Sequence, residues 1–139
     1  MAQHEFEDLA VAAVFKSYPA DMRARLLALR QLVFDTAATV IGPDSLVETL
    51  KWGTPSYHTR AKSGTPIHLG PAREAGEYGL FVHCQTSLID EFREERPAAF
   101  RYSGTRALLF GPDDVPKKKH IKDFITAALT YHQRKNRVR

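Results

Sequence analysis

Thr65-Pro-Ile-His-Leu69 and Tyr78-Gly-Leu-Phe-Val-His-Cys84 decide the fold class of this chain. Both runs are short, mostly apolar and bounded by breakers. Lys62-Ser63-Gly64 precedes the first, and Gly70-Pro71 and Gly76 separate it from the second, which is the pattern of strands rather than helices. In the second run Leu80, Val82 and Cys84 alternate onto one face, with Phe81 and His83 on the other. Cys84 is therefore expected as a small core residue beside Leu80 and Val82. His83 and Cys84 diverge in such a strand and are not expected to form a catalytic pair.

Outward from these strands the periodicity changes. Phe6, Leu9, Ala10, Ala13 and Val14 recur at helical spacing over about Glu5–Lys16, and Tyr18-Pro19 interrupts them. A longer helix follows over about Ala20–Ile41. Met22, Leu26, Leu29, Val33, Ala37 and Val40 form its apolar stripe, with Arg23, Arg25 and Arg30 facing elsewhere, and Gly42-Pro43 ends it. Downstream, Thr86 or Ser87 caps a short helix that runs to about Arg96. Phe100–Ser103 and Arg106–Phe110 flank Gly104-Thr105 as strand, turn and strand. A last helix is expected over about Pro116–Arg134, with Ile121, Phe124, Ile125, Ala128 and His132 at helical spacing. The order predicts an α+β fold, an antiparallel sheet packed with helices.

The 139 residues fit one domain, and 43% hydrophobic and 26% charged content exclude disordered and fibrous classes. The acidic start, Met1-Ala-Gln-His-Glu-Phe-Glu-Asp8, is unlike a targeting peptide, and a single cysteine suits a reducing compartment, so a cytoplasmic protein without a membrane span is expected. Charge is uneven. Pro116 onward carries eight basic residues against one acid, a balance of +7, while Met1–Val115 balances at −3. The basic character thus belongs to a C-terminal segment. No aromatic interleaving accompanies it, and nucleic acid is not an expected partner.

Glu48-Thr-Leu-Lys-Trp52-Gly53-Thr-Pro55-Ser-Tyr57 is the most unusual local sequence. It holds the one tryptophan, a permissive glycine and a conformation-fixing proline. Trp and Tyr combine apolar area with a polar tip, as pocket walls require. Glu48, Lys51, Trp52, Pro55 and Tyr57 are accordingly candidate ligand-binding residues, joined by Arg106 as an anion contact beside a turn. The alternative is that Trp52 and Tyr57 fill a core edge around a plain turn. His58 and His68 come near each other if Tyr57–Leu69 folds as a hairpin, but a third ligand is missing, so neither a metal site nor a cofactor is expected. No phosphate-binding loop, dinucleotide fingerprint or nucleophile elbow is present.

The Glu48–Tyr57 segment resembles the signature of the YdhG-like family, small bacterial domains of unknown function. Phe15-Lys-Ser-Tyr18-Pro19 with Arg23 and Leu26–Arg30, Ile67–Leu69, Tyr78–Cys84 and Tyr102-Ser-Gly104-Thr-Arg106-Ala107 fall in the family's order. The likeness covers about residues 12–133, leaving a basic tail over about 134–139. It implies a compact α+β domain. Because some members are described as frataxin-like iron chaperones for iron–sulfur cluster or haem assembly, it also implies carboxylate ligands. Glu5, Glu7 and Asp8 on the first helix and Asp90, Glu91, Glu94 and Glu95 on the third are the available acids, with Arg93 and Arg96 interleaved. A binding or carrier module for a small molecule or protein partner is the leading reading. Iron delivery, polyanion binding through the basic segment, and an enzyme using Glu48 as acid or base with Arg106 as anion clamp stay open.

Overall fold

The computed structural model describes residues 4–137. The elements are α1 (Leu9–Ser17), α2 (Ala20–Val40), β1 (Leu46–Lys51), β2 (Thr54–Thr59), β3 (Ile67–Pro71), β4 (Tyr78–Phe81), α3 (Leu88–Glu95), β5 (Arg101–Ser103), β6 (Ala107–Phe110), α4 (Lys118–Leu129) and α5 (Tyr131–Arg137). The strands form one sheet in the order β1-β2-β3-β4-β6-β5, and every neighbouring pair is antiparallel. The architecture is α+β. Among the described residues no helix is long and apolar enough to cross a membrane.

The register divides the sheet into two faces. Tyr57, Ile67, Leu69, Leu80 and Leu108 occupy alternate positions on neighbouring strands and join the helices in one core with Leu26, Val33, Phe124 and Ile125. The opposite face carries Lys51, Thr54, Ser56, His68, Gly70, Gly79 and Phe81, and Phe81 is only half-buried.

Several boundaries differ from the sequence expectation, each for a local reason. Helix α1 starts at Leu9, not Glu5, because the Asp8 carboxylate caps it, accepting from the backbone N–H of Ala10 (2.9 Å) and Val11 (3.4 Å). The C-terminal helix is two: Thr130, with φ −112°, interrupts it and donates through its hydroxyl to the Thr126 carbonyl at 2.8 Å. It also starts at Lys118, two residues later than Pro116. The first strand run lies at Ile67–Pro71. The second stops at Phe81, opposite Ala107 where β6 begins; a last bond from Val82 N to Arg106 O (2.8 Å) follows, and Thr86 N turns back to His83 O (3.1 Å). Cys84 is consequently exposed, not a core residue. Val40 is likewise 39% exposed at the end of the α2 stripe.

The largest correction is Arg30. It lies four residues after Leu26 and three before Val33, on the buried stripe of α2, and is 1% exposed. Four of its five guanidinium N–H donors are engaged. Nε donates to Glu48 Oε2 at 2.5 Å and Nη2 to Oε1 at 3.0 Å, while Nη1 and Nη2 also donate to the carbonyls of His4 and Glu5. The rings of Phe6 and Phe34 lie 3.8 and 4.9 Å from its central carbon. A planar, weakly hydrated cation suits such a site where lysine does not. Arg30→Met should destabilise the fold by about 3–5 kcal/mol, because Glu48 is left buried without its counter-charge. Adding Glu48→Leu should recover part of that loss. Urea denaturation of both variants checks the order.

Candidate functional site

The six candidate residues separate into an inner and an outer group. Glu48, Pro55 and Tyr57 face the helices. Tyr57 is fully buried, and its hydroxyl donates to Glu48 Oε2 at 2.8 Å. Burial first, and the Glu48 charge second, push that hydroxyl far above its ordinary range, so it stays a neutral donor. Pro55 is buried opposite Leu50. With Arg30 and Tyr57 both on its carboxylate, Glu48 is a structural acceptor and does not share a cleft with Arg106.

Lys51, Trp52 and Arg106 form the outer group. Strands β1 and β2 are joined by a two-residue turn, with Lys51 opposite Thr54 and φ of 55° at Trp52 and 77° at Gly53. Positive φ at both central positions matches the right-handed twist of a hairpin, but the first of them favours Asn or Gly, not a bulky residue. Trp52 is nevertheless there and fully exposed. Beside it a cleft of about 870 Å³ runs from Val14, Ser17 and Tyr18 of α1, past the hairpin tip, onto the open sheet face. Lys51, His68, His83 and Arg106 line it, with Phe81 between them, and its lining includes no aspartate or glutamate. Burial first, then the positive charges of Lys51 and His83, hold the His68 imidazole below its usual range. The same field reaches His58, lowered by burial and then by Lys51, Lys62 and Arg60.

His68, His83, Phe81 and Gly70 escaped the sequence reading as cleft residues, because their convergence depends on strand order. Strands β2 and β3 pair antiparallel, so Tyr57–Leu69 folds as a hairpin; His68 stands opposite Ser56, which makes His58 its diagonal neighbour. His83 and Cys84 both border the cleft, and the His83 Nδ1 accepts from the backbone N–H of Gln85 at 3.1 Å.

The acids of the iron reading are dispersed. Glu5, Glu7 and Asp8 precede α1 and border a separate cavity of about 320 Å³. On α3, Asp90 pairs with Arg93 at 3.1 Å and Glu95 lies 3.8 Å from Arg96. Glu91 accepts from Ser87 Oγ and from Lys135 Nζ at 2.9 Å; burial raises its carboxyl, but these bonds and the nearby Arg134 outweigh it and leave the group below its usual range. Among the described residues no group of three or more His, Cys, Asp or Glu side chains is placed to hold a metal ion. Within the basic segment Arg134 and Lys135 are shared with Glu91, Lys117, Lys118, Lys119 and Lys122 are exposed, and Arg139 lies outside the described residues.

No protein-family profile, curated protein or solved structure matches the chain. The resemblance to YdhG-like domains therefore rests on the residues that carry it.

Trp52→Asn should raise stability by about 1 kcal/mol, since asparagine tolerates the left-handed backbone and no buried contact is lost. Thermal unfolding measured by circular dichroism checks it. A loss of stability instead would show that the tryptophan serves the fold.

Proposed function

We propose that the chain is a small binding or carrier module that takes a small anionic ligand in the cleft beside Trp52. The carrying observation is electrostatic: Lys51, Arg106, His68 and His83 line one cleft that has no carboxylate. Two fixed cations and two titratable rings in a half-enclosed site favour a carboxylate or phosphate through charge-assisted hydrogen bonds. Backbone geometry supports the same reading. A fully exposed tryptophan held at φ 55° contributes nothing evident to folding, and strained residues of this kind concentrate at functional sites. Lys51 and Arg106 act as anion contacts, and Trp52 as an apolar wall.

Titrating benzoate and pyrophosphate, with the fluorescence of the one tryptophan as reporter, tests the proposal. At least one of the two anions should perturb Trp52. Lys51→Ala and Arg106→Ala should each weaken its binding by about tenfold, the value of one charged hydrogen bond. Affinity unchanged in both variants would sink the assignment.

The pH dependence has a defined sign. In the free protein His68 binds its proton weakly because of burial and its cationic neighbours. A bound anion offsets those positive charges, raises the proton affinity of His68 and draws in a proton. Benzoate, ionised throughout, should therefore bind more tightly as pH falls from about 8 to 6. His68→Gln should flatten that dependence, measured by the same titration at each pH.

A further inference from the structure

We infer that the ligand of this cleft is a small planar anion, an aromatic ring bearing a carboxylate or phosphate. Its ring packs over Gly70, a buried strand position where a side chain would fit but none stands, while Lys51 on β1 or Arg106 beside β6 holds its charge. This rests on the anion-binding reading above and adds the shape of the ligand to it.

The argument starts from two glycines that face each other. Gly70 of β3 pairs with Gly79 of β4 on the open sheet face. The fold requires one of them. A Cβ at Gly79 would lie 2.9 Å from the Leu108 carbonyl oxygen and 2.9 Å from the Phe81 ring, so Phe81 already covers that position. The fold does not require the other. Gly70 has no positive φ, and a Cβ there would meet only Thr54 Cγ2 at 3.7 Å, an ordinary contact. Glycine within a strand weakens it, and one with no conformational reason marks a place where something approaches the backbone.

Gly70 lines the cleft, together with Thr54, Trp52, Tyr18 and Phe81. A missing side chain leaves a slot of limited depth, about the 3.5–4 Å contact thickness of an aromatic ring. Aromatic walls add ring–ring contacts that a puckered or purely polar anion cannot make.

Matched pairs of anions test the inference by isothermal titration at one pH and ionic strength. Benzoate is compared with cyclohexanecarboxylate, and AMP with ribose 5-phosphate. The planar member of at least one pair should bind about tenfold more tightly, and the pair that shows it identifies carboxylate or phosphate chemistry. Gly70→Val should erase that preference while leaving residual anion binding, and Gly70→Ala should narrow it. Both variants should keep the wild-type circular dichroism spectrum, and the alanine decides if the valine does not fold.

Equal binding of planar and non-planar anions, or a planar preference that survives these substitutions, overturns the inference. The anion-binding reading then stands as long as Lys51→Ala and Arg106→Ala still weaken both members of a pair. If none of the four anions binds, both readings fall.

Discussion

A single buried arginine organises this protein. Arg30 joins α2 to β1 through the Glu48 carboxylate, to β2 through Tyr57 on that same carboxylate, and to residues 4 and 5 through their carbonyls. Removing such a charge from water is expensive, and the cost is offset only when its donors find partners. Here two bonds go to one carboxylate, two to backbone carbonyls, and two aromatic rings cover the guanidinium faces. This network sets how the β1–β2 hairpin sits on the helices: Glu48 and Tyr57 inward, Lys51 and Thr54 outward.

That constraint shapes the cleft. With Glu48 and Tyr57 fixed inward, strand alternation sends Lys51 to the open face and puts Trp52 at the tip. The antiparallel order then carries His68, Gly70 and Phe81 alongside. The acids of the neighbourhood are held elsewhere: Glu48 by Arg30, Glu77 by Arg101 at 2.7 Å, and Asp90, Glu91 and Glu95 of α3 by nearby arginines and Lys135. A chain of modest net charge thereby presents one cleft whose lining has basic residues but no acidic ones.

Secondary structure was legible wherever one local signal dominated. The apolar stripe of α2, the alternation of Leu80 and Val82, and the Gly104-Thr105 turn appear close to where their patterns put them. Errors arose where a local signal was overruled. The charge of Arg30 points it outward, although its spacing from Leu26 and Val33 puts it on the buried stripe. Cys84 continued an alternation that the partner strand β6 was too short to sustain. The Glu48–Tyr57 segment stood out by composition, but it divides between core and surface because adjacent positions of a hairpin point opposite ways.

Hydrophobic periodicity and the placement of Gly and Pro by themselves determined the α+β class and the order of eight elements, since these depend on interactions within a few residues of each other; β1, β2 and the break between α4 and α5 are not marked by them. Which charges are buried was decided only when α2 met β1, because desolvating Arg30 depends on a partner 18 positions away. The cleft was decided later still. Lys51, His68, Phe81 and Arg106 span more than fifty positions, and only the strand order of the sheet gives them a common surface.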